Sequence, residues 1–197
     1  MQGVELDVRR AADDSVVVHH DAHLADGRAI IELSRAELPE SVPDLAAVLD
    51  VCAGIEVNVE IKSEKKDPDF DQTYWISRAV LDVARDAGAL DRVVVTSFDH
   101  DAVDCLRADD APLRTGWIGM VPPNWDQLVA RGHTIFNPWH GLVTEQFVAQ
   151  AHRRDVFVGT WTVNDLDTIP DLAATGVDAI LTDFPQAAVD RLGQAGG

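Results

Sequence analysis

Strand-like and helix-like stretches alternate along the whole chain, and this alternation is what most limits the fold. Forward strands are expected around Val4, Val57, Val94, Arg114, Thr134, Phe157 and Ala179, each followed by an amphipathic stretch. The helices are expected from Pro43 to Gly54, Tyr74 to Ala87, Asp99 onward, Pro122 to Val129, Thr144 to Arg153, Leu166 to Ala174 and Ala187 to Leu192. Regular β-α alternation implies a parallel sheet with helices outside it. A doubly wound nucleotide binder would show a glycine-rich first turn, and none is present. The expected fold class is therefore α/β, a TIM-type (β/α) barrel. Such a barrel has eight strands, whereas seven are counted, so one β-α unit is expected to be missing. Met1 directly precedes the first strand, so that unit, roughly 30 residues, is expected upstream of it.

Two of the strands carry polar stripes. In Val4-Glu5-Leu6-Asp7-Val8 the carboxylates share one face, about 7 Å apart, and the apolar residues share the other. Val16-Val17-Val18 then delivers His19, His20 and Asp21 to a strand end. Ile55-Glu56-Val57-Asn58-Val59-Glu60-Ile61-Lys62 repeats the alternation and ends in a lysine. Alternation of this kind most often marks a half-exposed strand with carboxylates in water. Its occurrence in two strands suggests instead one shared polar site, at the C-terminal mouth where barrel enzymes work.

A chain of 197 residues, 46% hydrophobic, can bury one sizeable core, and a single domain over 1–197 is expected. Residues 22–42 read as a small excursion with a turn at Asp26-Gly27 and a short strand from Ala29 to Leu33. The formal charge of −18 argues against nucleic acid or anionic membrane as a partner. No apolar run approaches the ~20 residues of a membrane span, and MQGVELD is not a secretory signal, so a cytoplasmic location is expected. Cys52 and Cys105 lie in apolar helical patterns and read as buried thiols rather than a disulfide. His133, His140 and His152 read as surface histidines, with His140 within reach of the mouth. Trp75, Trp117, Trp125 and Trp139 read as packing residues. By alternation His19 points away from His20, and Asp21 reads as a hydrogen-bond partner that fixes the strand end.

Several short motifs run in a telling order: Glu5-Leu6-Asp7-Val8, His20-Asp21 after a valine run, Pro43-Asp44-Leu45 and Val59-Glu60-Ile61-Lys62. They continue through Ser97-Phe98, Trp161-Thr162-Val163-Asn164, and Gly176-Val177-Asp178 with Thr182-Asp183 and Pro185. In this order they resemble the glycerophosphodiester phosphodiesterases, metal-dependent β/α-barrel hydrolases of lipid and glycerol metabolism. Members of that family begin with a strand ending in His-Arg-Gly, which supplies a second acid/base histidine and a phosphate-binding arginine; the sequence here starts after it. The threonine- and glycine-rich turn that usually follows the His-Asp pair is also shortened here.

The resemblance implies that Glu5, Asp7 and Glu60 hold a divalent cation, Mg²⁺ or Ca²⁺, since hard cations prefer oxygen ligands. It implies His20 as the catalytic acid/base group, Lys62 as the charge facing the phosphate, and Trp161 as the wall on the glycerol side. The expected reaction releases an alcohol and glycerol 3-phosphate from a small-molecule glycerophosphodiester, through attack by the neighbouring glycerol hydroxyl and a cyclic phosphate. Two alternatives stand beside it: a truncated, catalytically impaired barrel that binds metal and phosphoester, and a related phospholipase-type phosphodiesterase. Exposed strand edges at the missing unit lead to an expected homo-oligomer.

Overall fold

The β-branched runs do form strands, and the glycines that follow the helices do end them. The computed structural model describes residues 3–108 and 112–195, which divide into two compact units, 1–115 and 116–197. The seven forward strands expected from the sequence are all present among the described residues.

In the first unit β1 (Gly3–Arg10) and β2 (Val16–Val18) make a hairpin; α1 (Leu45–Val51), β3 (Glu56–Ile61), α2 (Trp75–Asp86), β4 (Val93–Ser97) and α3 (His100–Ala108) follow. The sheet order is β2-β1-β3-β4, with β2 antiparallel to β1 and the other pairs parallel. The hairpin turn places Asp14 at φ 65°, a left-handed conformation that aspartate tolerates better than most residues. α1 buries Leu45 and Leu49 and stops before Gly54, at φ 85°. α2 buries Ile76, Val80, Leu81 and Ala84.

The excursion after β2 corrects one expectation. Ala29 to Leu33 is not a strand: Ile30–Glu32 is a single 3₁₀ turn, and a second one follows at Arg35–Glu37. Ile30 is fully buried with Leu24, Leu33, Leu38 and Val42 against Ala11 and Val17, so the apolar residues close a small cluster of their own. Ser34 N–H and its hydroxyl both donate to Glu37 and tighten the second turn.

The second unit holds the parallel series β5 (Arg114–Gly119, from Gly116 on), β6 (Ile135–Pro138), β7 (Phe157–Thr160) and β8 (Ala179–Ile180). Between and after them lie α4 (Trp125–Ala130), α5 (Glu145–His152), α6 (Ile169–Ala174) and α7 (Pro185–Ala195). Side-chain caps set two of these helices: Asn124 accepts from Gln127 N–H and Thr144 from Phe147 N–H. The start of α4 is thus fixed by Asn124 rather than by Pro122-Pro123. Trp125, Phe136 and Phe147 pack edge to face or tilted, with ring centroids 5.2–6.1 Å apart. β5 and β6 approach so closely at Gly116 that a Cβ there would lie 2.5 Å from the Ile135 carbonyl oxygen.

Two further readings are corrected here. His133 is not a surface histidine: it is 2% exposed, its ring 5.4 Å from that of Trp117. Trp139 packs only in part: its ring lies 5.2 Å from that of His140, yet it is 39% exposed beyond the end of β6. Cys52 and Cys105 are half-buried and form no disulfide.

Candidate active site

β1 and β3 pair in parallel so that Glu5 lies opposite Asn58 and Asp7 opposite Glu60. Residues opposite one another on adjacent strands share a face. Glu5, Asp7 and Glu60 accordingly offer carboxylate oxygens that all lie within 4.8 Å of one another. Lys62, just past the end of β3, donates to Glu60 Oε1 at 2.6 Å and lies 3.1 Å from Asp7 Oδ1. With Lys62 the three carboxylates carry a formal charge of −2 (−3 + 1).

This cluster is half-sheltered. Burial is the main influence on Glu60 and pushes its carboxyl above the usual range; Lys62 opposes this, and the Asp7 charge reinforces it. Burial also disfavours the Lys62 ammonium, yet Glu60 and then Asp7 outweigh it and hold the amine above its ordinary value. Around it, Thr96 Oγ1 donates to Asn58 and Ser97 Oγ to the Ile61 carbonyl, tying β3 to β4 beneath the polar stripe.

Lys62 also lines an open cleft of about 560 Å³. One wall is His19 to Ala25; the other is Lys62, Glu64, Lys66 and Asp67. His20 Nδ1 lies 2.7 Å from Asp21 Oδ1, an arrangement that places a proton on Nδ1 and leaves Nε2 as the nitrogen open to a ligand. The hydrogen bond to His20, then the His20 charge, holds the Asp21 carboxyl below the usual range. His20 is also close enough for its positive form to favour the Glu60 carboxylate. Asp21 is therefore placed against the imidazole, apart from the Glu5, Asp7 and Glu60 oxygens.

The sequence reading set His19 on the opposite side from His20. Both line the cleft, because β2 ends at Val18 and alternation no longer governs the two side chains. His19 Nδ1 lies 2.8 Å from the Asp21 carbonyl oxygen. Arg9 went unread in the sequence although it continues the Glu5-Asp7 stripe at the next same-face position. It is 3% exposed, donates through Nε and Nη2 to the His20 carbonyl, and through Nη1 to Asp67 and Asp69.

Trp161 lies in the second unit, just beyond β7. Its indole N–H donates to the Asn137 carbonyl at 2.8 Å, and its backbone pairs with that of Trp139. Next to it, Asn164 holds the Thr182-Asp183 motif: its amide donates to Asp183 and its carbonyl accepts from Thr182 Oγ1 and Asp183 N–H.

Comparison with known proteins agrees with this arrangement of motifs. The model of the Glycerophosphoryl diester phosphodiesterase family matches residues 1–187. A glycerophosphodiester phosphodiesterase of Caldanaerobacter subterraneus is 22% identical over 98% of this chain and 87% of its own length. One of Bacillus altitudinis is 25% identical over 95% and 84%. Among solved structures, a Silicibacter pomeroyi protein provisionally named a glycerophosphoryl diester phosphodiesterase superposes with a TM-score of 0.86 at 29% identity, covering 98% of this chain and 83% of that one. An Oleispira antarctica phosphodiesterase, solved in complex with the product sn-glycerol-3-phosphate, also reaches 0.86, at 21% identity over 98% and 85%. These likenesses establish the fold class as the TIM-type (β/α) barrel. On the match across nearly its whole length, the chain belongs to the glycerophosphoryl diester phosphodiesterase family.

Proposed function

We propose that this chain hydrolyses glycerophosphodiesters to an alcohol and glycerol 3-phosphate, with a divalent cation held by Glu5, Asp7 and Glu60. The observation that carries the reading is the convergence of those three carboxylates within 4.8 Å, with Lys62 bonded beside them. An all-oxygen donor set of this kind fits a hard cation such as Mg²⁺ or Ca²⁺, and a dication balances the formal −2 of the cluster. When bound, the cation supplies charge neutralisation to the phosphoryl oxygens.

Lys62 adds a point charge next to that position, its ammonium kept protonated by Glu60 and Asp7. His20 moves the proton at Nε2 between the reacting oxygens, its ring oriented by Asp21 at Nδ1. Trp161 keeps its assignment to the glycerol portion of the substrate on the family motif, with the Asn137 bond fixing the indole. The Oleispira antarctica complex supports glycerol 3-phosphate as the product, and the family match over both units supports 1–187 working as one catalytic domain.

The test is release of glycerol 3-phosphate from glycerophosphocholine with Mg²⁺, with Ca²⁺ and with chelator, by the chain and its Glu60→Gln and His20→Ala variants. Turnover is expected to need the cation and to fall by ~10²–10⁴-fold in His20→Ala. Chelator-insensitive turnover, or full activity in Glu60→Gln, would overturn the cation assignment.

A further inference from the structure

Among the described residues, Arg9 is the one buried guanidinium of the first unit, and neither the cation site nor the proton transfer uses it. Its surroundings are specific. Past Val18 the β1–β2 ladder has ended, and the His20 carbonyl takes two bonds from Arg9, 3.2 Å from Nε and 3.0 Å from Nη2. Nη1 is shared between Asp67 at 2.7 Å and Asp69 at 2.9 Å. Arg9 and Asp69 side chains are 4% exposed and that of Asp67 13%. One planar group, itself lining the cleft, thus joins its two walls, the His19–Ala25 wall through a carbonyl and the Lys62–Asp67 wall through the Asp67 carboxylate, with Asp69 beyond it as a second anchor.

A buried ion pair of this kind rarely adds net stability over well-packed apolar side chains, because desolvation consumes the Coulombic gain. What it does supply is direction: the fork geometry of arginine fixes its acceptors in a plane, which an ammonium does not. Four of the five Arg9 N–H groups are thus committed to protein acceptors, which leaves the guanidinium fixed by the protein itself.

We propose that Arg9 is a positioning residue for His20, setting the depth and angle of its imidazole through the His20 carbonyl and locking that setting to the 62–69 loop through Asp67 and Asp69. This rests on the reading of His20 as the proton-transfer group. A displacement of about 1 Å in a reacting group costs up to ~10²-fold in rate, so Arg9 governs kcat without touching the substrate.

The test is a double-mutant cycle on glycerophosphocholine hydrolysis with Arg9→Lys and His20→Ala, alongside titration of Mg²⁺ or Ca²⁺ into each protein. Arg9→Lys keeps the charge but loses the fork. It is expected to lower kcat by about 10–100-fold, with KM and cation affinity within about twofold, and to cost nothing further in the residual rate of His20→Ala. An equal fold-loss in both backgrounds, or a rise in KM at unchanged kcat, would overturn it. Should Arg9→Lys fail to fold, Asp67→Asn leaves the fork on His20 with one anchor; its smaller loss must likewise vanish in His20→Ala, and persistence there counts against the proposal. A wild-type rate in His20→Ala is a different failure: it removes the proton-transfer reading, and this inference with it.

Discussion

In the proposed function Lys62 has two roles that pull in opposite directions. Its ammonium neutralises part of the carboxylate cluster, which weakens the pull on a cation, and in the proposed reaction it also offers charge to a bound phosphate. Lys62→Met is therefore expected to bind Mg²⁺ or Ca²⁺ about tenfold more tightly, while turnover falls by roughly 10²-fold. Calorimetric titration and steady-state rates measure the two separately; weaker cation binding in the variant would contradict the electrostatic account. Glu5, Asp7, Glu60 and Lys62 were legible as one group because a strand's period of two is written in the sequence. Arg9 was not, since its partners Asp67 and Asp69 return from a loop 58 and 60 residues on. His133 was misread for a like reason: it is buried with its ring against that of Trp117, a neighbour that no local pattern around Gly132 announces.

Among the elements, existence was easier to read than ends. Hydrophobic periodicity marks the middle of a helix, whereas the cap is decided by one side chain, as Asn124 shows for α4. The 22–42 excursion was misread because Ala-Ile-Ile carries strand propensity, yet Ile30 found its burial in a cluster rather than a ladder. Strand contact sets the next expectation. Gly116→Ala would press a methyl into the Ile135 backbone and side chain, and should destabilise the chain by about 1–3 kcal/mol in urea unfolding. Ahead of α2, Asp71 accepts from the Thr73 hydroxyl at 2.5 Å and from Thr73 N–H at 2.9 Å, and these bonds hold its carboxyl below the usual range. A lowered folded pKa gives stability that is complete above the unfolded value near 4 and is lost as pH falls through the folded one. Asp71→Ala should thus cost about 1 kcal/mol at neutral pH, and the gap to wild type should narrow as pH falls below the unfolded value. A gap that widens on acidification would reverse the sign of this argument.

At the scale of the whole molecule, a formal charge of −18 on 197 residues means that folding concentrates like charge. Raising NaCl from about 10 mM to about 0.5 M is expected to raise the melting temperature, because screening relieves this repulsion more than it weakens exposed ion pairs. A flat or falling melting temperature would show that the surface pairs carry more of the stability. The order of the motifs made the fold class readable, since β-α alternation survives any single misplaced boundary. The lysines are distributed far less evenly than the arginines. All three lysines of the sequence are Lys62, Lys65 and Lys66, on or beside one wall of the cleft. Lys62 is 9% exposed and clasped by two carboxylates, whereas the Lys66 side chain is 77% exposed. An amine-directed acylating reagent therefore has its side-chain targets gathered at the lip of one cleft, and mass spectrometry of Lys66 becomes a direct footprint of whether that cleft is filled.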